Sequence, residues 1–477
     1  MSQEVLPVAD LEARKIRHLE SVAECRSARW ESSRAFKQVL WESLVPHVMS
    51  DSSVLHVGCG GGDLLRMLRA KVAVGIEPSA DLASLARRRH PEIRVLEQPV
   101  ESFRVETPFD YILADDVLID CFDVDELLDS IHRAADESSR VILTNYSQAW
   151  RPILKVLRWL GLARPRFGNT WFSPLDLEEA LARRGFELVS EFPAILLPLR
   201  IPLLSGFCNR FLAKLPFFRA FCLLRTFIAR KGVTRPVRPQ SVSVIVPARN
   251  EAGNVARLMR EIPAMGSWTE VIFVEGNSKD DTWDRLQAAV RERNDPRVRL
   301  IKQPGKGKGD AVRAGFAEAK GEILMILDAD LTVPAESLPK FYEVVASGHA
   351  DFANGTRLVY QMDGRAMQFL NLLANHFFAR AFTYVLGQPV RDTLCGTKVL
   401  SRGLYASIAA HRSYFGNFDP FGDFDLLFGA ARLHAKIVDV PIRYRERVYG
   451  ETNISRFRHG MMLFRMLALA AVKLKFR

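Results

Sequence analysis

Short apolar runs alternate with amphipathic stretches along most of this 477-residue chain. In the first half, strand-like and helix-like runs alternate from Val54 to Ile228. After segment 231–240 the alternation starts again with four apolar runs, each followed by polar residues. These runs are 241–247, 270–276, 297–303 and 322–330. The pattern predicts two α/β domains with mostly parallel sheets, in which ligands bind at the carboxyl ends of the strands.

The segment KGVTRPVRPQ, residues 231–240, marks the boundary between the two halves. It is short, basic and proline-containing, and a strand follows at once, so we interpret it as a linker. The sequence then predicts five segments. They are an N-terminal helical extension (1–34), a first α/β domain (35–230), the linker (231–240), a second α/β domain (241–455) and a basic amphipathic C-terminal helix (456–477).

Net charge and cysteine content indicate the kind of binding partner and the cellular compartment. The formal net charge of +11 indicates an anionic partner, such as acidic lipid headgroups or phosphorylated substrates. Nucleic acid is disfavoured, because no zinc module, recognition-helix pattern or aromatic-rich basic strand pair is found. The six cysteines are scattered without metal-binding spacing, which favours a reducing compartment. We find no stretch of signal-peptide or membrane-spanning type, so we expect a cytoplasmic protein.

A glycine-rich loop follows the first apolar run. The stretch VLHVGCGGGD, residues 54–63, passes from a strand into Gly58, Gly60 and Gly62, and a helix-like stretch follows. Glycines allow the backbone to approach a ligand closely and to offer its N–H groups. The next strand ends at Glu77.

The GxGxG spacing resembles the first motif of class I S-adenosylmethionine-dependent methyltransferases. Residues 109–120, FDYILADDVLID, resemble the fourth strand of that family and its acidic loop. The resemblance covers roughly residues 35–230 and implies a Rossmann-like fold. It also implies that the loop at Gly58, Gly60 and Gly62 binds S-adenosylmethionine with Glu77. The alternative is an inert methyltransferase-like scaffold.

Polar clusters follow the strands of the second half as well. Residues 248–254, ARNEAGN, follow the first strand, and Glu275 ends the second. Lys306 and Lys308 alternate with glycines ahead of a helix, a suitable place for anionic phosphates.

The pair Asp328 and Asp330 ends a fully apolar strand in the stretch ILMILDADLTVP, residues 323–334. Side-chain alternation directs both carboxylates to one side, where they can share a divalent cation, Mg²⁺ or Mn²⁺. Such an ion would neutralise a leaving nucleoside diphosphate.

These clusters, in this order, resemble family 2 inverting glycosyltransferases with a GT-A fold. The resemblance covers roughly residues 240–460 and is strongest for the polyprenyl-phosphate, dolichol-phosphate mannose synthase-like, branch. The stretches that support this branch are 354–360 (NGTRLVY), 392–398 (DTLCGTK), 421–427 (FGDFDLL) and 447–453 (RVYGETN).

The resemblance implies a role for each matching residue. Base and ribose would be bound by Pro247, Arg249, Glu251 and Glu275. The metal would be bound by Asp328 and Asp330, and the donor diphosphate by Arg447. Arg357 and Lys398 would bind the phosphate of the acceptor. Asp423 or Asp425 would lie next to the acceptor.

The chemical nature of the acceptor decides the mechanism. A hydroxyl nucleophile needs a general base, for which Asp392, Asp423 or Asp425 is a candidate. A phosphate nucleophile is already anionic and needs cations instead, which Arg357, Lys398 and the positive net charge favour. In both cases direct attack inverts the anomeric centre.

The C-terminal stretch from Arg456 combines basic and apolar residues. On a helix, Arg458, Arg465 and Lys473 lie near one another, with apolar residues over most of the remaining surface. This pattern suits a helix in the headgroup region of an anionic membrane, and equally a helix docked on the catalytic domain.

The sequence therefore predicts an envelope-glycan or glycolipid enzyme peripheral to the inner face of the cytoplasmic membrane. A metal-dependent glycosyltransferase, with a nucleotide-sugar donor and a polyprenyl-phosphate or glycan acceptor, is fused to an S-adenosylmethionine-binding methyltransferase. The alternative is transfer to a saccharide hydroxyl, with an inert methyltransferase-like domain. Sugar, base, methyl acceptor and oligomeric state stay open.

Overall fold

A computed structural model of the chain describes residues 36–121, 123–159, 170–198, 201–232, 238–357, 369–416, 422–442, 445, 447, 449 and 456–476. The chain forms two compact units that divide after Gly232, with Phe476 grouped with the first unit. The expected N-terminal extension, 1–34, lies outside the described residues, and the predicted domain boundaries stay predictions.

The first unit is built on a seven-stranded sheet in the order β3-β2-β1-β4-β5-β7-β6. Its strands are β1 Ser53–Val57, β2 Val72–Ile76, β3 Arg94–Leu96, β4 Tyr111–Ala114, β5 Arg140–Tyr146, β6 Phe186–Ile195 and β7 Leu224–Lys231. Strands β1 to β5 run parallel, and β7 is antiparallel to both β5 and β6. Every residue of β4 and β5 is buried, as expected for central strands of a sheet covered on both faces.

Helices of the first unit connect these strands. They are α1 Asp63–Leu68, α2 Ala80–Arg89, α3 Val124–Ala134, α4 Arg151–Trp159 and α5 Pro174–Arg183. Between β6 and β7 the chain forms only short helical turns, namely Leu204–Gly206, Phe207–Phe211, Leu212–Lys214 and Pro216–Arg219.

The second unit has its own seven-stranded sheet, in the order β10-β9-β8-β11-β13-β12-β14. Its strands are β8 Val242–Ala248, β9 Thr269–Glu275, β10 Val298–Lys302, β11 Ile323–Ile326, β12 Phe352–Thr356, β13 Lys398–Ser401 and β14 Ile437–Pro441. Its helices are α6 Val255–Glu261, α7 Thr282–Arg293, α8 Lys308–Glu318, α9 Leu338–Ala346, α10 Phe369–Leu386, α11 Arg402–Ala410, α12 Asp423–Arg432 and α13 Arg456–Ala470. Strand β13 is antiparallel to both β11 and β12, and the other pairs are parallel.

Both units are α/β with mostly parallel sheets, so the predicted fold class is confirmed. Apolar residues of both sheets are buried beneath the helices, in a separate core for each unit. Among the helices of the described residues, none combines the length and hydropathy needed to cross a bilayer.

Helix α13 packs against the second unit. Leu463, Met466 and Ala470 are buried in its core, and the Tyr414 hydroxyl donates a 2.7 Å hydrogen bond to the Lys473 carbonyl. The Lys473 ammonium lies 4.9 Å from the centre of the Tyr414 ring. One face of the helix is therefore docked, as in one of the two predicted alternatives. The side chains of 456–459, including Arg458, lie outside the described residues.

Candidate functional site

The topology of the second sheet brings its predicted site residues to one edge. Strands β8 to β11 are parallel neighbours, so their carboxyl ends meet, and Ala248 lies opposite Glu275 in the register. Because β13 is antiparallel, its first residue, Lys398, lies at that same edge. Strand β12 runs antiparallel to β13, and Arg357 follows its carboxyl end. Residues far apart in sequence thus converge at one end of six different strands.

Two ion pairs occupy the centre of this edge. The Lys308 ammonium lies 2.7 Å from Asp328 Oδ1 and 3.7 Å from Asp423 Oδ1. The Arg447 guanidinium contacts Asp330 Oδ2 and reaches within 4.0 Å of Glu251 Oε1. The two aspartates that end the apolar stretch are each held by a cation from another segment.

The electrostatics of Asp328 follow from this pairing. Burial acts to raise the pKa of its carboxyl, but the charge and hydrogen bond of Lys308 outweigh burial and hold the pKa below its usual range. Lys398 and Arg357 lower it further. The carboxylate is therefore ionised at neutral pH, as a metal ligand must be.

Glu251 is the third carboxylate of the cluster. Burial, more than any other factor, raises its pKa to about 7, and the negative charges of Asp330 and Asp328 act in the same direction. The amide of Asn254 donates a 2.7 Å hydrogen bond to its carboxylate, and Arg447 also favours the ionised form. Glu251 therefore lies close to both central aspartates.

The other residues that we predicted to bind the sugar donor lie at the same edge of the sheet, and they differ in solvent exposure. Glu275 is buried and accepts a 2.5 Å hydrogen bond from the Ser278 backbone N–H, whereas Pro247 is half-buried. Arg249 and Lys306 are exposed. Because Lys308 is the first residue of helix α8, the helix N-terminus adds partial positive charge beside Asp328.

Arg357 and Asp392 form a bidentate pair beside the central cluster. The guanidinium donates from Nε to Asp392 Oδ2 at 2.6 Å and from a terminal nitrogen to Oδ1 at 2.9 Å. Burial acts to raise the pKa of Asp392, but Arg357 outweighs it and the pKa lies below its usual value. A carboxylate stabilised in this way is a weak general base.

Lys398, Asp423 and Asp425 have three different environments. Lys398 is fully buried and its ammonium donates to the Cys395 carbonyl, so direct contact with an acceptor would require this turn to move. Asp423 begins helix α12 beside Lys308. The carboxylate of Asp425 instead lies 2.6 Å from the guanidinium Nε of Arg412. The roles assigned to these residues stay predictions.

Gly396 is a site residue that our sequence reasoning did not single out. A Cβ atom placed there would lie 2.0 Å from Asp328 Oδ2 and 2.4 Å from Lys308 Nζ. Only glycine lets the backbone of the stretch 392–398 approach this ion pair so closely. The sequence shows that Gly396 lies between Cys395 and Thr397, but it does not show that Asp328 and Lys308 are its neighbours in space.

The carboxylates of this site are compatible with the binding of a divalent cation. Within the described residues, no group of three or more His, Cys, Asp or Glu side chains is arranged to hold a metal by itself. Mg²⁺ is commonly bound by one or two carboxylates together with substrate phosphates. Asp328 and Asp330 supply such a pair, and a nucleotide diphosphate would supply the other oxygens.

The glycine loop of the first unit has the geometry of a ligand cradle. Gly58, Gly60 and Gly62 have backbone φ values of 75°, 55° and 79°, in a region that residues other than glycine rarely adopt. The carboxylate of Glu77 accepts hydrogen bonds from the N–H groups of Gly60, at 2.8 Å, and Ser79, at 3.1 Å. A hydrogen bond therefore joins two of the predicted cofactor residues, Gly60 and Glu77, at the ends of β1 and β2.

A buried imidazole–carboxylate pair lies beside this loop. The Nε2 atom of His56 contacts Asp115, and both residues are buried. The next residue, Asp116, accepts a 2.8 Å hydrogen bond from the hydroxyl of Tyr146 at the end of β5. The sequence predicted an acidic loop here, but not its partners, which come from β1 and β5.

Comparison with known proteins separates the chain into the same two parts. The family model "Glycosyl transferase family 2" matches residues 243–408, and a "Methyltransferase domain" model matches residues 29–191. The two predicted resemblances are confirmed. The glycosyltransferase match contains Asp328, Asp330, Arg357 and Lys398, and the methyltransferase match contains the glycine loop and Glu77.

Curated relatives of the glycosyltransferase-like unit act on lipid phosphates according to their names. Dolichol-phosphate mannosyltransferase of Pyrococcus furiosus is 37% identical over 219 residues, which are 45% of this chain and 59% of that protein. Dolichyl-phosphate hexose transferase of Haloferax volcanii is 27% identical over 237 residues, 50% of this chain and 96% of that protein. Undecaprenyl-phosphate 4-deoxy-4-formamido-L-arabinose transferase of Pseudomonas aeruginosa is 27% identical over 234 residues, 48% of this chain and 65% of that protein.

Solved structures also match one unit each. Glucosyl-3-phosphoglycerate synthase of Mycobacterium tuberculosis is 22% identical with a TM-score of 0.37, over 49% of this chain and 80% of that one. A methyltransferase of Thermotoga maritima, described as S-adenosylmethionine-dependent, is 15% identical with a TM-score of 0.34, over 44% of this chain and 99% of that one.

We predict that Glu77→Ala weakens binding of S-adenosylmethionine to the methyltransferase-like unit. The variant loses the carboxylate expected to accept the ribose hydroxyls, worth about 1.5–3 kcal/mol, so affinity should fall roughly ten- to a hundredfold. Isothermal titration calorimetry on the full chain measures this change. Glu126→Ala, at a carboxylate in helix α3, is the control. Absence of cofactor binding to the wild-type chain would contradict the prediction and favour an inert scaffold.

Proposed function

We propose that the second unit transfers a sugar from a nucleotide sugar to a polyprenyl phosphate, in a reaction that depends on Mg²⁺ or Mn²⁺. The observation that carries this proposal is the pairing of Asp328 and Asp330 with Lys308 and Arg447 at the edge where the strands end. The family match and the names of the curated relatives support the same reaction class. The lipid-phosphate acceptor is extended to this chain from the names of those relatives, and the divalent cation is proposed from the carboxylates Asp328 and Asp330.

The donor would be held by groups that already face one another. Pro247, Arg249, Glu251 and Glu275 would bind base and ribose at the ends of β8 and β9. Asp328 and Asp330 would hold the cation, which would neutralise charge on the leaving diphosphate. Lys308 and Arg447 would then turn from the carboxylates to phosphate oxygens, because both lie within ion-pair distance of the proposed ligands.

A phosphate acceptor agrees better with the acid groups of the site than a hydroxyl acceptor. Asp392 is bound bidentately by Arg357 and its pKa is lowered, while Asp425 pairs with Arg412. Asp423 lies beside the Lys308 ammonium. Each candidate base is thus engaged by or next to a cation. An acceptor phosphate needs no proton removed, and Arg357 would help to neutralise it.

The acceptor class can be tested by following the transferred sugar. The full chain is incubated with radiolabelled nucleotide sugars, undecaprenyl phosphate in vesicles, and Mg²⁺ or Mn²⁺. We expect label in an organic-extractable product that mild acid cleaves, as is typical of a glycosyl phosphate. Label found only in water-soluble saccharide would show that the acceptor is a hydroxyl, and Asp423 would become the first base to test.

The first unit is proposed to bind S-adenosylmethionine through the loop at Gly58, Gly60 and Gly62 and through Glu77. Support comes from the left-handed glycine backbone and the family match. The buried pair of His56 and Asp115 places a carboxylate next to the loop, where it can fix the loop or contact the cofactor. Since polyprenyl phosphates stay in lipid, we further propose that the protein works peripherally at the inner face of the cytoplasmic membrane.

A further inference from the structure

The segment that connects β6 to β7 in the first unit exposes an unusual number of large apolar side chains. The structure describes it over residues 201–221. The exposed members are Ile201, Leu203, Leu204, Phe207, Phe211, Phe217 and Phe221. Monomeric soluble proteins rarely present a contiguous apolar surface of this kind without a binding role.

This segment has one strained, exposed leucine and two pairs of exposed aromatic rings. Leu203 is 93% exposed and has φ 63°, a strained conformation for a leucine at the tip of a turn. Phe207 stacks on Phe211 with ring centres 5.6 Å apart, and Phe217 lies 5.4 Å from Phe221. These four rings are 43–70% exposed, and the ring of Phe211 also lies 5.2 Å from that of Phe476.

Helix α4 presents a second exposed apolar stripe. Ile153, Val156 and Trp159 are three residues apart, so they lie along one helix face, and they are 46%, 54% and 83% exposed. Arg151 and Lys155 on the same helix are also exposed. A helix with apolar side chains toward solvent and cations beside them has the character of an interfacial helix.

Hydrogen bonds join these two elements. The indole N–H of Trp150, next to α4, donates to the Phe221 carbonyl at 2.8 Å, and the Ser147 N–H donates to the Leu223 carbonyl at 2.9 Å. We call the exposed apolar residues of 153–159 and 201–221 together the apolar–basic face. The face lies at the sheet edge where β5 and β6 end and β7 begins, because β7 runs antiparallel to both. The carboxyl ends of β1 and β2, with the glycine loop, lie at the same edge.

The charged residues of these segments indicate which kind of partner would bind this face. Residues 151–159 and 201–221, which carry the face, contain no Asp or Glu and six Arg and Lys residues. Of the described cations, Arg210 is exposed, and Arg219 lies 2.9 Å from Glu191 at the border of the face. Exposed apolar side chains with the exposed cations Arg151, Lys155 and Arg210 in the same segments complement an anionic lipid surface.

We propose that the apolar–basic face of the first unit binds the surface of a bilayer containing anionic lipids. Trp159 and the exposed phenylalanines would enter the boundary between headgroups and acyl chains, with the neighbouring cations at the phosphates. The proposal places membrane contact on the first unit, whereas the sequence had suggested the C-terminal helix. It does not depend on the proposed sugar-transfer reaction.

Flotation of the full chain with vesicles tests the proposal. Vesicles of phosphatidylcholine and phosphatidylglycerol in equal amounts should carry the wild-type protein, and added salt should weaken the binding. The substitutions Leu203→Glu and Phe217→Glu, combined, should reduce the lipid partition coefficient about tenfold or more, because each charge must enter the headgroup boundary. Leu203→Glu alone, at a nearly fully exposed side chain, should give a smaller loss without disturbing the fold.

Matched controls separate this face from other exposed apolar residues. Leu175→Glu, on helix α5, and Met461→Glu with Phe464→Glu, on helix α13, should leave flotation unchanged. Failure of the wild type to float would overturn the proposal, as would flotation lost only in the α13 variant. If Leu203→Glu with Phe217→Glu instead dissociates an oligomer seen by ultracentrifugation and leaves flotation intact, the face binds a second copy of the chain, and the proposal is wrong.

Discussion

Asp330→Asn is expected to abolish sugar transfer while leaving the fold intact. Asp330 contacts Arg447 and accepts hydrogen bonds from the backbone N–H and hydroxyl of Thr332, which an asparagine carbonyl can still accept. The variant loses the negative charge proposed to hold the cation. Because a metal contributes several kcal/mol to stabilising the leaving group, we expect activity to fall about a thousandfold or more.

The measurement is transfer of labelled sugar at saturating donor, with and without added Mn²⁺. Asp284→Asn, which removes one exposed carboxylate from helix α7, is the control for net charge and should keep wild-type activity. Equal thermal unfolding of both variants would show that the fold is unchanged. Near wild-type transfer by Asp330→Asn, or by the wild type in metal-free buffer, would refute the metal assignment.

Gly396→Ala should remove most sugar transfer for a steric reason. The added methyl group would lie 2.0 Å from the Asp328 carboxylate and 2.4 Å from the Lys308 ammonium, so the ion pair must move. A displacement of about 1 Å at a reacting centre can cost roughly a hundredfold in rate. We therefore expect a loss of at least that size, together with destabilisation of about 1–3 kcal/mol from overpacking.

Gly403→Ala is the matched control, because a Cβ there would come no closer than 3.9 Å to Ser401 Oγ. Donor affinity, measured by calorimetry with a nucleoside diphosphate, should fall in Gly396→Ala and stay unchanged in Gly403→Ala. If Gly396→Ala retains wild-type rates and donor affinity, the contact between residues 392–398 and the Lys308–Asp328 pair has no part in catalysis.

The central ion pairs balance the charges of the site. Four charged side chains converge there, and isolated buried charges are costly in a protein interior. Lys308 and Arg447 offset the negative charges of Asp328 and Asp330. In the proposed reaction, a nucleoside diphosphate and its cation would offer these four side chains new partners of opposite charge.

Local chemistry made much of this protein predictable from its sequence. Fully apolar runs such as 323–326 have to be buried, and within an alternating α/β pattern they are expected to be central strands, so the acids that follow them lie at strand ends. Glycine spacing at 58, 60 and 62 indicated a backbone that other residues cannot adopt, and the φ values agree. Fold class and the two resemblances were therefore readable, because each depends on residues within a few positions of one another.

The partners of those residues could not be read in the same way. Sequence placed Asp392 and Arg357 in separate stretches with separate roles, whereas the antiparallel strand β13 brings them into one bidentate pair. Lys398 was expected at an acceptor phosphate, but it is buried against the Cys395 carbonyl. Strand direction and burial depend on long-range pairing, for which a single sequence carries no direct signal.

The sequence by itself determined the two α/β units, their order and the residue types available at each strand end. Only the tertiary structure decided which charges meet, that Gly396 must lack a side chain, and that helix α13 docks one face on the second unit. It also decided that 201–221 presents its apolar residues outward, although their composition would suit a core equally well. The physical reason is that hydrophobic burial is non-directional, so apolar residues do not specify their neighbours until the whole chain has packed.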